Sequence, residues 1–459
     1  MTMASVSLMD APRRNLAALG ALLLLLTMAG ALAQRPGLLA ASADARLAVS
    51  IGFEGIAGLV YLAAVASTLR APSPLRAVPT VLVVAVLLRL IVLGDAPWLS
   101  TDLYRYILDG RVQIEGINPY RYVPADPALA FLRDGNVFHR INRVDYAHTI
   151  YPPMAQAIFH AVAHVGQTPL AIKTTMVLFE LAAIWATLRL LGLAGLDRTR
   201  ILIYAWNPLP VWEFAGNGHI DAAALGFIAV AILAHVRRRS GLTGLLLGAA
   251  TAVKLLPVVL APALWRRWDW RMPLAMTATI AALYLYYAEV GWGVLGFLPN
   301  YARDEGLASG AGIYWLAALS HVVTLPDYAG RAWLAAAAIG LVGLGALLAF
   351  GRNGSPAPQA EVVGVARDVC LMATALTIAV TPHYPWYFAW LLLPACLAPV
   401  RSIIVLTTAA MLLHFDVWHE KLIWPSLVYV PFVILAVLDY RLGKGVLPLP
   451  THATSGRSS

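Results

Sequence analysis

The chain has 459 residues, of which 60% are hydrophobic and only 12% charged, where a soluble domain carries about 25% charged residues. That deficit, spread over many apolar runs of roughly 17–25 residues, excludes an array of soluble domains and predicts a polytopic helical membrane protein. The formal net charge of +9 sits mainly in short loops, so it reports orientation in the membrane and gives no support to nucleic-acid binding.

Arg13 and Arg14 precede a first apolar run, Asn15 to Ala33. The run ends Ala-Leu-Ala before Gln34, which resembles a signal-peptidase site; an uncleaved first helix is the favoured reading. A second run, about 48–69, ends at Arg70, and Arg70 with Arg76 marks an inside loop. A third, about 77–94, then delivers residues 95–150 to the outside face. Glu54 and Arg89 lie inside the second and third runs. Ionisable residues at that depth are functional candidates, but an ion pair joining the two helices is the favoured role.

Residues 151–240 hold a run that begins Tyr151-Pro152-Pro153, another at about 170–193 with Glu180, and a short one at 201–213 containing Asn207-Pro208. Gly216-Asn217-Gly218-His219-Ile220-Asp221 then opens a run that ends in Arg237-Arg238-Arg239. The triple arginine puts that end inside, so Asn217–Asp221 belongs outside and one of the short segments must be half-spanning. Residues 241–265 carry Lys254 and Pro257 between basic flanks, which favours a broken pair of short helices with Lys254 lifted toward the outer half. A span near 272–290 leads to an outer loop with Asn300–Glu305, and one near 330–350 returns to an inside loop, Gly351–Arg367. The next, about 368–380, reaches Thr381-Pro382-His383-Tyr384-Pro385-Trp386-Tyr387. Asp416–Lys421 is expected outside, a last span at about 424–439 ends inside at Arg441 and Lys444, and the Ser/Thr-rich tail from Pro448 is expected to be disordered. Cys370 and Cys396 both fall in apolar runs and read as packing residues.

Residues 95–150 are the one long polar stretch. If Asp102 to Arg111 is helical, Asp102, Arg105 and Asp109 share a face, with flanking tyrosines suited to an interfacial helix lying on the membrane. A carboxylate beside a cation stays ionised, as a general base must; a solvated helix with an internal salt bridge explains the spacing equally well. Asn217 reads as an N-cap, with Asp221 favouring the helix dipole, and His219 as either a hydrogen-bonded residue or a donor ligand. An unpaired Lys254 in an apolar segment is costly, so it needs a phosphate or an acid such as Glu180 as a partner. His383, Tyr384, Trp386 and Tyr387 form either an aromatic belt or a sugar-binding group. No Walker A loop, Gly-rich dinucleotide turn or Cys/His metal spacing occurs, so nucleotide-driven chemistry has no sequence support.

Several of these motifs fall in a recognisable order. Thr101-Asp102-Leu103-Tyr104, then Gly116-Ile117-Asn118-Pro119-Tyr120, then Tyr151-Pro152-Pro153 together resemble the first outer loop of glycosyltransferase family 87. That family comprises the polyprenyl-phosphate-mannose-dependent mannosyltransferases of the GT-C class of integral membrane glycosyltransferases. Asn207-Pro208 with Gly216-Asn217-Gly218-His219, and Lys254-Leu255-Leu256-Pro257, are similar to segments of the enzyme that adds the first mannose of GPI anchors. Asp102 is followed by Leu103-Tyr104, so the Asp-x-Asp of that enzyme is missing and a metal role loses its motif. The resemblance implies an all-α GT-C-type bundle of about 10–14 spanning or half-spanning helices. It implies one domain over residues 1–447, with 95–150 as the outer catalytic loop and 448–459 as a cytoplasmic tail, in a bacterial inner membrane with its site facing the periplasm. It implies an inverting transfer of a hexose, expected to be mannose, from a polyprenyl-phosphate donor to a lipid or glycan hydroxyl, without cofactor or metal. Asp102 would be the base, with Asp109 orienting Arg105 or replacing Asp102. Arg105, Lys254 and His383, with Arg111 in reserve, would stabilise the departing phosphate, and Tyr106, Tyr151, Trp386 and Tyr387 would line the donor groove. Asn217, His219, Asp221 and Tyr384 complete the expected donor site. The alternatives are a flippase or transporter of a lipid-linked sugar, which needs the cavity but no base, and a structural subunit, which needs neither.

Overall fold

Apolar runs free of breakers become long helices, and runs punctuated by proline or asparagine become short ones. The computed structural model describes residues 3–37, 42–70, 77–351, 357–415 and 422–442, with the backbone alone for 3–14. In chain order its principal helices are α1 (Met3–Gln34), α2 (Ala43–Arg70), α3 (Ala77–Leu93), α4 (Asp102–Ile114), α5 (Pro153–Val165) and α6 (Pro169–Leu193). They continue with α7 (Asp221–Val236), α8 (Ser240–Val253), α9 (Arg271–Tyr286), α10 (Ala329–Phe350), α11 (Pro358–Val380), α12 (Arg401–Ala409) and α13 (Ile423–Arg441). Among the described residues six helices are long and apolar enough to span a membrane; α9 with the bent segment to Asp304 makes a further candidate, and five shorter apolar helices complete the set. The protein is therefore an all-α, multi-pass membrane protein, as its composition predicts. The helix α1 runs without interruption through Ala31-Leu32-Ala33. Arg76, Asp416–Lys421, Lys444 and the tail from Pro448 lie outside the described residues, as does part of the expected loop Gly351–Arg367. The rest of that loop is not a loop: α11 begins at Pro358, whose missing N–H costs nothing in a first turn.

Of the short segments expected to be broken, the one at 198–216 is divided into short helical pieces. Pro208 and Pro210 cannot donate backbone hydrogen bonds, so the chain breaks into short pieces ending in a π-helix, Val211–Gly216. Its polar backbone is tolerated because protein surrounds it. Tyr61 of α2 donates to the Ile203 carbonyl at 2.7 Å, and Trp206 Nε1 donates to the Val81 carbonyl of α3 at 2.8 Å. Arg89 ties the same segment down: Nη1 donates to Ala205 O at 2.8 Å while Nη2 meets Glu180 Oε1 at 2.7 Å. The expected Glu54–Arg89 pair is thus not formed. Arg89 selects Glu180 of α6, which receives both Nε and Nη2, whereas Glu54 is buried beside Ser50 on its own helix.

Residues 240–266 go in and come back. The helix α8 stops at Val253, Lys254 is extended (φ −153°, ψ 133°), and short helical pieces begin at Leu256, with Pro257 in the first turn. Arg266 Nη2 then donates to His235 O at 2.7 Å, at the far end of α7. Since α7 is 16 residues long, or about 24 Å at 1.5 Å per residue, Arg237–Arg239 and Arg266 gather well away from Asp221.

The helix α4 departs from expectation. Every residue from Leu103 to Gly110 is buried, so it is not an interfacial helix lying on lipid. Loop 115–150 covers it from one side and α5 and α6 from the other. A Cβ at Gly110 would come within 2.7 Å of the Phe159 carbonyl, which is why α4 and α5 approach so closely there. The Gly-x-x-Pro-Tyr turn holds that cover in place. Asn118 Nδ2 donates to Tyr287 O at 3.0 Å, and the Tyr120 hydroxyl donates to Tyr151 O at 2.8 Å.

Candidate active site

A cavity of about 700 Å³ opens where α4, loop 142–152, the start of α7, the break after α8, the 297–307 segment and residues 380–390 meet. Asp102 lies on its wall because it is the first residue of α4; its side chain is 27% exposed, the accessibility a base needs. One turn on, Arg105 also lines the cavity, with Nε donating to Asp109 Oδ1 at 2.8 Å and Nη1 to Ala147 O at 3.0 Å. Asp109 itself stands behind the wall. Its Oδ2 accepts from Thr149 Oγ1 at 2.6 Å and Gln156 Nε2 at 2.8 Å, so it is saturated with donors and faces no open volume. Arg111 points away, pairing with Asp134 at 2.5 Å and Gln167 at 3.1 Å. The Asp134 carboxyl is held below its ordinary range: slight burial raises it, but the Val137 and Asn136 amides and Arg111 outweigh that.

Lys254 reaches the cavity from the break after α8. Its partner is not Glu180 but Asp221, at 2.6 Å, and its ammonium sits 3.5 Å from the centre of the Tyr387 ring. Both Lys254 and Asp221 line the cavity, as do Tyr106, Tyr151, His383, Tyr384, Trp386 and Tyr387. His383 Nε2 is 3.3 Å from the Glu305 carbonyl. Tyr384 stacks on Trp386 (4.7 Å, 14°), and Trp386 on His219 (3.7 Å, 19°), so these rings form a continuous stack.

Asn217 and His219 lie behind this wall. Asn217 does not cap α7, which begins after Ile220. Its Oδ1 accepts from the amides of Trp98 and Leu99, at 3.1 and 3.0 Å, and so fixes the approach to Asp102. Gly218, at φ +78°, makes the turn; a side chain there would strike Leu103. His219 has Nδ1 4.0 Å from Asp102 Oδ2 and Nε2 3.3 Å from Glu213 Oε2.

Several cavity residues had no role assigned from sequence. Arg143 joins Asp304 and Glu305, each at 2.9 Å. Burial by itself lowers the Arg143 pKa, but the two carboxylates outweigh that and raise it; burial lifts Glu305 above the usual carboxylate range against the pull of Arg143. His148, Tyr301 and His414 also line the cavity. Nothing in spacing distinguishes Arg143 from its neighbouring arginines. Glu213 and His414, by contrast, are ionisable residues in apolar segments, the same signal that singled out Glu54 and Arg89.

A family model described as alpha-(1->6)-mannopyranosyltransferase, N-terminal domain, matches residues 15–269. The chain belongs to this family. The match spans Asp102, Arg105, Asp221 and Lys254, while the Tyr384–Trp386 stack, Glu305 and His414 come from the remainder of this family member. Alpha-(1->6)-mannopyranosyltransferase A of Mycobacterium tuberculosis (strain ATCC 25618 / H37Rv) is 25% identical over 239 residues, covering 51% of this chain and 45% of the relative. The chain thus spans about half the length of the curated relative it matches. No solved structure matches the chain. Membership agrees with the resemblance to family 87-type mannosyltransferases read from the loop motifs.

Proposed function

We propose that the protein is an α-1,6-mannosyltransferase that takes mannose from a polyprenyl-phosphate donor and passes it, with inversion, to a hydroxyl of a lipid or glycan at the outer face of its membrane. One observation carries the reading: an accessible carboxylate, Asp102, shares a single cavity with Arg105, Arg143, Lys254 and His383. The family and its mycobacterial relative supply the sugar and the linkage. In the reaction the acceptor oxygen bonds to the anomeric carbon, its proton passes to Asp102, and the bond from that carbon to the phosphate oxygen breaks. The leaving phosphate gains charge as it departs, so cations fixed beside it lower the barrier. Arg105 and Lys254 are the candidates, with His383 as a hydrogen-bond donor. Leu255, Leu256, Leu298, Leu376 and Val380 on the same wall suit a polyprenyl chain. The gathering of arginines at the opposite end of α7 supports an outward-facing cavity.

The test supplies purified protein in nanodiscs with radiolabelled polyprenyl-phosphate mannose and a host lipid and glycan extract, beside Asp102→Asn and an arm with EDTA. Label entering a new product only with Asp102 intact supports the reading. Donor binding with no transfer by the wild type leaves two readings, an acceptor missing from the extract or a flippase that moves the lipid-linked sugar without cutting it. The EDTA arm decides whether a metal takes part.

A further inference from the structure

Glu213 lies in the π-helix and is 0% exposed. A buried carboxylate is costly unless it is partnered, and this one is partnered almost entirely by groups that lead to the cavity. His414 Nε2 is 2.7 Å from Glu213 Oε1, and His414 lines the cavity. His219 Nε2 is 3.3 Å from Oε2, with the opposite ring nitrogen 4.0 Å from Asp102. Asn217 Nδ2 donates to Oε2 at 3.3 Å, and Asn217 also holds the Trp98 and Leu99 amides just before α4. Glu54 of α2 is a carboxyl within electrostatic reach. A π-turn in this segment is itself a feature concentrated at functional sites, because its extra residue re-aims side chains that a regular helix would place elsewhere.

We infer that Glu213 is a positioning residue for the transfer: it anchors His219 so that an imidazole nitrogen faces the Asp102 carboxylate, and it anchors His414 at the cavity wall. The inference rests on the proposed transferase reading. Stacking on Trp386 fixes the plane of the His219 ring, and the Glu213 carboxylate, 3.3 Å from Nε2 as a charge contact outside hydrogen-bond geometry, attracts that side of the ring. Together they leave one nitrogen directed at Asp102. The role resembles that of a carboxylate that orients a histidine without touching the substrate. Glu213 does not itself line the cavity, so removing it should act on turnover more than on donor affinity.

The experiment measures steady-state transfer from polyprenyl-phosphate mannose by wild type, Glu213→Gln, Glu213→Asp, His219→Gln and the Glu213→Gln/His219→Gln double variant, each full-length in nanodiscs. Glu213→Gln is expected to lower kcat by about 10²-fold, within the range of positioned acid–base groups, with the donor KM within about twofold. Glu213→Asp, which restores the charge, should recover a substantial part of the loss. The double variant should be no worse than the poorer single one, since the two residues act as a unit. Wild-type kcat in Glu213→Gln, or losses that multiply in the double variant, would overturn the inference. If Glu213→Gln does not fold, His219→Gln decides, and wild-type kcat there overturns it as well. No transfer by the wild type would bring down the transferase reading, and this inference with it. Transfer by the wild type with an unaffected Glu213→Gln would bring down the inference alone.

Discussion

Two ion pairs in the apolar body of the protein can be set side by side. Arg89–Glu180 has side chains 2% and 0% exposed, and all three guanidinium nitrogens of Arg89 donate: two bonds go to Glu180 and one each to the carbonyls of Ala85 and Ala205. The Tyr204 hydroxyl adds a further bond to Glu180. Lys254–Asp221 is looser, with side chains 21% and 9% exposed, sits at a helix break, and turns its remaining face to the cavity. The first pair is closed and clamps the 202–205 segment to α3 and α6. The second is open on its cavity side. Charge in an apolar segment is therefore no sign of function by itself; the unfilled side of the charge is.

The predictions probe that contrast, and the largest effect belongs to the open site. Asp102→Asn should lower turnover by about 10³-fold while donor binding, followed by equilibrium titration, stays within about twofold. Lys254→Met should lower transfer by about 10²-fold, the scale for losing one electrostatic group at a transition state, with the fold kept, as read by thermal unfolding; wild-type transfer would place Lys254 with the clamps. Arg89→Met should do the reverse. It leaves Glu180 buried without its partner, which costs about 3–5 kcal/mol, so unfolding shifts sharply while the folded fraction keeps its turnover. Arg89→Met/Glu180→Met should regain most of that stability. Asp109→Asn disturbs Arg105 without touching the cavity, and a fall of about tenfold is expected, smaller than for Asp102. Arg111→Gln breaks a pair outside the cavity and should change transfer by less than about twofold.

The breaks in the chain were legible beforehand. Asn207-Pro208, Gly216–Asp221 and Lys254–Pro257 each interrupt an apolar run, and each interrupts a helix in the structure. The interfacial reading of α4 failed because the sequence of a helix does not say what covers it. Loop 115–150 supplies the cover, through contacts such as Asn118 to Tyr287, 169 residues apart. Spacing puts Asp102 and Asp109 on one helical face, with Asp102 as the expected base and Asp109 as the fallback; only the structure shows Thr149 and Gln156 saturating the second.

The sequence by itself determined that this is a multi-pass helical membrane protein, where its helices break, and which polar stretch reaches the site. Those properties depend on residues near one another in the chain: hydropathy over a window, and proline or glycine at one position. Only the tertiary structure decided the partners. Arg89 meets Glu180 across 91 residues, Asn217 meets Leu99 across 118, and Glu213 meets His414 across 201. A buried charge takes whichever counter-charge or donor the packing of helix faces brings within reach, and no local pattern encodes that choice.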